Sequence, residues 1–261
     1  MTIAFIGTGN MGGAIVRGLI KSGTYLPEEI ICTAKTQATL DKVREYNACI
    51  RTTLNNAEAV AKADIVVLAV KPWLIKEVME QIQPALGKQI IVSVAAGVAL
   101  KDLAEMAEAL SGEKPLFRVI PNTAVEALCG VSFIAHQGAS QEQVAKVQRL
   151  FEALGYALVV DEKLIPAGTA LASCGTAFAM RYIRAAMEGG VQLGFRPDEA
   201  ARIVEHTVKG AATLLLESGE HPEVAIDKVT TAGGITIKGL NAMEKSGFTA
   251  AVIDGLKASS I

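Results

Sequence analysis

The 261-residue sequence is poor in the residue types that build metal sites, disulfide frameworks and aromatic surfaces. It has four cysteines, three histidines and one tryptophan, and aromatic residues make up 5% of it. Cys32, Cys49, Cys129 and Cys174 are far apart and form no Cys-x-x-Cys pair, and His136, His206 and His221 stand at no ligand spacing from them. No metal is therefore expected, and the thiols read as the reduced cysteines of a cytoplasmic protein. Charge of one sign is also missing. Twenty-five Lys and Arg face 27 Asp and Glu, and the basic residues are scattered, which leaves no footprint for nucleic acid or an anionic membrane. Long apolar runs are absent too. The one span-like segment, 164–180, contains Pro166, Gly168 and Gly175 and falls short of ~18 apolar residues, so it is expected to be a buried helix. A strand-like run begins at Ile3, directly after Met1-Thr2, and no signal peptide is expected.

What is present is periodicity. Single cores rarely grow much beyond ~250 residues, so two domains are the starting expectation. Up to residue 161 short β-branched runs alternate with longer helical patterns. Strands are expected at Ile3–Ile6 and at 29–33, 65–69, 89–93, 116–119, 130–135 and 157–160. Helices are expected at 11–22, 57–62, 74–84, 101–110 and 141–154. This is the pattern of an α/β fold, a Rossmann-like doubly wound and mainly parallel sheet over 1–161. From 162 to 261 the strand signals stop, and Ala-rich helices are punctuated by Gly189-Gly190, Gly194, Gly219, Gly233-Gly234 and Gly247. An all-helical domain with small apolar residues on several faces, as at 167–172, must bury them against something, and a second subunit is the natural partner.

Gly7-Thr8-Gly9-Asn10-Met11-Gly12 follows the first strand and opens the first helix, the context that a dinucleotide fingerprint requires. Gly7 permits the tight turn, Gly9 lets the backbone approach a pyrophosphate, and Gly12 allows the helix to lie close to the sheet. The helix N-terminus adds free N–H groups and partial positive charge. NAD enzymes usually place an acid at the end of the second strand, whereas here the segment reads Cys32-Thr33-Ala34-Lys35-Thr36. Thr33 and Thr36 can donate to a 2′-phosphate and Lys35 can offset its charge, so NADP(H) is preferred and NAD(H) is admitted; the alternative for Lys35 is a plain solvated surface residue. Two further strands end at the sheet edge where open α/β sheets bind ligands, in Ala69-Val70-Lys71-Pro72 and in Ala95-Ala96-Gly97. Small side chains there would let a nicotinamide ribose lie against the backbone, or simply pack a tight turn.

Together with Arg118-Val119-Ile120-Pro121-Asn122-Thr123 and Val229-Thr230-Thr231-Ala232-Gly233-Gly234-Ile235-Thr236, these motifs occur in the order seen in pyrroline-5-carboxylate reductases. The chain resembles that family from about Ile3 to Leu256. The resemblance implies a Rossmann domain followed by a helical domain that interlocks with its counterpart in a dimer, five dimers commonly forming a decamer. It implies reduction of the C=N bond of a cyclic imine, L-1-pyrroline-5-carboxylate, to L-proline by NAD(P)H. It carries cofactor contacts to Gly7, Thr8, Gly9, Asn10, Met11, Thr33, Asn56, Ala69, Val70, Lys71, Pro72, Ala95, Ala96 and Gly97, with Asn55 able to take the part of Asn56 after a one-residue shift.

The residues of the last motif give the same reading. Gly233 and Gly234 precede a helical pattern near Thr236, so their N–H groups would form a nest for the substrate carboxylate beside Ile235. Thr236 would hydrogen-bond the ring nitrogen; the alternative is that it is a helix N-cap. Two departures from the family stand out: Ser173-Cys174-Gly175-Thr176 replaces a glycine-serine-glycine-proline run, and Ala124 replaces a proline. A β-hydroxyacid dehydrogenase would need a lysine base on the first long helix of the second domain, and 167–180 contains none. A non-catalytic NADP-binding regulator is the rival of another class, since fold alone never proves chemistry.

Overall fold

The computed structural model describes residues 1–111 and 114–260. The chain divides into two compact units, Met1–Thr169 and Ala170–Ile261.

The first unit is built on one eight-stranded sheet: β1 (Ile3–Ile6), β2 (Ile30–Thr33), β3 (Arg51–Thr53), β4 (Ile65–Leu68), β5 (Ile90–Ser93), β6 (Leu116–Pro121), β7 (Gly130–Gln137) and β8 (Gly155–Val159). Their order is β3-β2-β1-β4-β5-β6-β7-β8, parallel throughout except for the antiparallel β6–β7 pair. Strands β1, β2, β4 and β5 are buried along their whole length. That explains why they read as unbroken apolar runs: helices cover both faces. The helices are α1 (Asn10–Ser22), α2 (Gln37–Tyr46), α3 (Asn56–Ala61), α4 (Ile75–Ile82), α5 (Leu100–Ser111) and α6 (Gln141–Glu152). Ile3 and Phe5 point into a core shared with Ile15 and Leu19 of α1 and Val147 and Leu150 of α6. Ala4 and Ile6 point the other way, toward Val60, Ile75, Val78 and Leu103. Burying each such large side chain is worth about 1.5–3 kcal/mol. Cys32 lies within this core, and burial pushes its thiol pKa up to about 12.

Two elements of this unit went unforeseen. Strand β3 is three residues of Arg-Thr-Thr paired on one side only, with no apolar run to announce it. Helix α2 buries a single residue, Leu40, so its amphipathic pattern is thin.

After β8 the chain enters α7 (Ile165–Gly168), a π-helical stretch (Thr169–Cys174) and the helices of the second unit: α8 (Gly175–Gln192), α9 (Pro197–Ser218), α10 (Pro222–Lys228), α11 (Ile235–Lys245) and α12 (Phe248–Ser259). Gly190 lets α8 close on α9, since a Cβ there would stand 3.1 Å from Ala200 Cβ. Tyr182 meets Phe248 edge-on at 6.4 Å. The expectation of one buried helix over 164–180 needs correcting. The segment is interrupted by the π stretch, and within one chain Leu171 and Met180 remain 65% and 62% exposed. No helix among the described residues is long and apolar enough to cross a membrane.

Candidate functional site

Four connections gather at the carboxyl edge of the parallel strands, around the point where the order reverses between β1 and β4: Gly7–Gly9 after β1, 34–36 after β2, Ala69–Lys71 after β4, and 94–99 after β5. In open α/β sheets this is where ligands bind. Gly7 has φ +92°, and a Cβ on it would stand 2.7 Å from Val70 Cγ1. A Cβ on Gly12 would run into the Gly7 carbonyl oxygen. Gly9 is different. A Cβ there meets nothing, so the backbone at the N-cap of α1 faces open space. Asn10 beside it is exposed and Met11 half-buried. The three glycines thus meet three different surroundings: a tight turn, open space, and a helix seated on the sheet.

Thr33 has a part that the sequence did not disclose. It is fully buried, its carbonyl accepts from Gly7 N–H (3.2 Å) and Thr8 Oγ1 (3.1 Å), and its hydroxyl lies 3.3 Å from Gly7 N–H. It braces the glycine loop from below, while Lys35 and Thr36 stand exposed at its rim. Asn55 and Asn56 have different structural parts. Asn55 caps α3 by accepting from Glu58 N–H at 3.2 Å, and half-buried Asn56 donates to Gln81 Oε1 at 2.9 Å. Of the β4 segment, Ala69, Val70 and Pro72 are half-buried and Lys71 exposed. Of the β5 segment, Ala95 is buried, and Ala96 and Gly97 (φ +82°) are exposed.

The glycine turn before α11 lies in the second unit. Gly233 has φ +70° with open space where a Cβ would be. Gly234 is the N-cap, and its N–H already donates to the Thr231 carbonyl at 3.0 Å. The nest expected from Gly233 and Gly234 is therefore only half available. The donors left without helical partners are the first amides of α11, at Ile235 and Thr236. Thr236 is the second helical residue, not the cap, and its side chain is exposed. Thr231 was not anticipated: a Cβ on Gly234 would run into its Oγ1, so the threonine occupies the wall of the turn. Only the folded turn reveals that contact. Among the described residues no group of three or more His, Cys, Asp or Glu is placed to hold a metal.

Comparison with known proteins gives this geometry a family. Residues 162–260 match the family model described as pyrroline-5-carboxylate reductase dimerisation, and 2–97 match that of NADP oxidoreductase, coenzyme F420-dependent. The pyrroline-5-carboxylate reductase of Arabidopsis thaliana is 37% identical, the alignment covering 99% of this chain and 92% of that protein. The chain belongs to the pyrroline-5-carboxylate reductase family. Pyrroline-5-carboxylate reductase 1 of Dictyostelium discoideum is 36% identical over 99% of the chain, which spans about half (48%) of that longer protein. The solved pyrroline-5-carboxylate reductase of Coxiella burnetii is 31% identical, with a TM-score of 0.91 over 99% of this chain and 96% of that one.

The departures from the pyrroline-5-carboxylate reductase pattern now have locations. Ser173 and Cys174 end the π-helical stretch, and Gly175 and Thr176 open α8. Where the family has a proline without an N–H, Thr176 keeps that group and also donates its hydroxyl to the Ala172 carbonyl at 2.8 Å. Ala124 lies in the single helical turn Thr123–Ala127, against which α1 is seated: a Cβ on Gly18 would stand 2.5 Å from the Val125 carbonyl oxygen. Arg17 of α1 and Glu126 of that turn form a two-pronged ion pair at 2.8 and 2.9 Å, which holds the Glu126 carboxyl below its ordinary pKa.

Proposed function

We propose that this chain reduces L-1-pyrroline-5-carboxylate to L-proline, the last step of proline biosynthesis, by hydride transfer to the ring C=N bond, with NADP(H) preferred over NAD(H). The observation that carries the reading is the Gly233-Gly234-Ile235-Thr236 turn at the start of α11, inside the region that matches the reductase dimerisation model. A dinucleotide crevice alone is common to many dehydrogenases.

The residues present fit a dinucleotide, because the fold leaves open space at Gly9 and turns the α1 amides toward it. When bound, the cofactor supplies the hydride. Gly7, Thr8, Gly9, Asn10 and Met11 form the diphosphate cradle, with Thr33 fixing its shape. Lys35 and Thr36 would meet the 2′-phosphate, and Asn56 would be a further contact to the cofactor. Ala69, Val70, Lys71 and Pro72, with Ala95, Ala96 and Gly97, flank the nicotinamide ribose. The amides of Ile235 and Thr236 bind the substrate carboxylate at the positive end of α11. Thr236 is the residue closest to chemistry: its hydroxyl orients the ring nitrogen as that atom gains electron density. An alcohol is too weak an acid to ionise at neutral pH, so the proton comes from water or from a preformed iminium.

We assign cofactor binding to 1–161, and substrate binding with dimerisation to 162–261. The assembly is a dimer, extended to a decamer as the resemblance implies, and the compartment is the cytoplasm. Consumption of NADPH on addition of pyrroline-5-carboxylate, followed by its absorbance, tests the activity. Cofactor binding without turnover would leave a non-catalytic binder. Lys35→Asp should raise the KM for NADPH more than that for NADH, and an unchanged ratio would make Lys35 a solvated surface residue.

A further inference from the structure

The motif around Arg118 is the one part of the family pattern that this reading leaves without work. Arg118 pairs with Glu162 at 2.8 Å, and this is the least exposed ion pair among the described residues, at 14% and 31%. The same carboxylate oxygen, Glu162 Oε1, also accepts from the backbone N–H of Leu100 at 2.8 Å. Leu100 is the first residue of α5, and Arg118 lies in register with Ser93, the last residue of β5. The segment between those two anchors, 94–99, is the one proposed to lie against the nicotinamide ribose.

We propose that Glu162 and Arg118 are positioning residues that hold segment 94–99, and with it Ala95, Ala96 and Gly97, in place for the cofactor. The proposal rests on the cofactor reading given above. The start of the segment is held by Val94 N–H on the Leu68 carbonyl (3.0 Å) and Ala95 N–H on Ser93 Oγ (3.3 Å). Its end is held locally by Ala99 N–H on Asp102 Oδ2 (3.2 Å) and, through Leu100, by Glu162. Between them the chain turns through Gly97 in the left-handed region, so a shift at Leu100 is passed to the exposed residues 96–97. A charge is needed here for two reasons. The Arg118 Nε is buried with no partner among the described residues, so the guanidinium depends on Glu162 for its counter-charge. The carboxylate also faces the positive end of α5.

The test is Glu162→Gln, which preserves size, with three measurements: NADPH affinity by its fluorescence, affinity for adenosine 2′,5′-bisphosphate, and kcat. A misplacement near 1 Å can cost ~10²-fold in rate, so a tenfold to hundredfold fall in kcat with about tenfold weaker NADPH binding is expected. Binding of adenosine 2′,5′-bisphosphate, which lacks the nicotinamide half, should be unchanged. A lower Tm with all three values kept would make the pair a plain stability bridge and overturn the proposal. So would equal weakening of both ligands. If Glu162→Gln does not fold, Glu162→Asp keeps the charge but is too short to hold Arg118 and Leu100 together, and the same split is expected at smaller size. A wild-type protein that binds NADPH without reducing pyrroline-5-carboxylate would end the proposed function, while the two-ligand split would still decide the role of Glu162.

Discussion

The two units of this chain place their apolar side chains differently. In Met1–Thr169 the large apolar residues close on both faces of one sheet, with Phe5, Phe117 and Phe151 fully buried. Among the described residues of Ala170–Ile261 the only buried apolar ones are the alanines Ala170 and Ala200, while Leu193, Leu214, Leu216 and Ile253 stand half to almost fully exposed. A largely apolar groove of about 920 Å³ runs along α8 and α12, lined by Phe178, Ala185, Phe248 and Val252 among others. A monomeric soluble protein seldom leaves so much contiguous apolar surface to water. The first unit therefore carries its own stability, and the second is built to be completed by association. The cofactor motifs lie in the self-sufficient unit and the glycine turn before α11 in the other.

Phe117→Ala attacks the first half of that contrast and should have the largest effect. It removes a fully buried ring from the middle of the sheet and should cost about 3–5 kcal/mol in urea unfolding. The loss should be the same at high and low protein concentration; a concentration-dependent loss would mean that this core too depends on assembly. Thr236→Ala addresses the division of chemistry. A positioned donor is worth about 2–4 kcal/mol in the transition state, so kcat should fall roughly 10²–10³-fold, toward the low end because water can substitute. NADPH affinity should hold, and full kcat in a folded variant would remove the threonine from the reaction.

Leu216→Glu tests the incomplete unit. Leu216 is 85% exposed in the single chain, and if association covers it the variant should dissociate at higher concentration, by about 1.5–3 kcal/mol, in a dilution series. A wild-type monomer by light scattering would break the comparison outright. The smallest effect is expected from acid. Hydrogen bonding to Arg17 lowers the Glu126 pKa from its ordinary 4.5, so this pair stabilises the fold above that value and stops doing so as pH falls through the lower, folded one. Both side chains are well exposed, so the contribution is modest. The Tm gap between wild type and Glu126→Gln should be open at pH 7 and narrow as pH falls below 4.5; a gap that stays constant into acid would deny the pair its role in seating α1.

Much of this was legible from residue order alone, because the signals involved are local. Period and β-branching announce strands that are buried on both faces, and the Gly7-x-Gly9-x-x-Gly12 spacing specifies its own turn, whose three glycines meet three different surroundings in the fold. The motif order also carried the family. What escaped had no local pattern. The polar edge strand β3 exists only because β2 offers it a ladder. Thr33 reads as a phosphate ligand in sequence, and only the pairing of β1 with β2 turns it beneath Gly7. Thr231 is a threonine among threonines until the turn brings it against Gly234.

The sequence by itself determined most of the segments that become strands and helices, the family, and that the helical half carries more apolar surface than it can hide. Those properties follow from side-chain chemistry repeated at short range. Only the tertiary structure decided that Gly234 spends its N–H inside the turn, that Thr236 is a second-position helical residue and not a cap, and that one Glu162 oxygen joins Arg118 to Leu100 across 44 and 62 residues of chain. Such pairings depend on which strands lie side by side, and nothing in the spacing of residues along a chain encodes a hydrogen bond made across the fold.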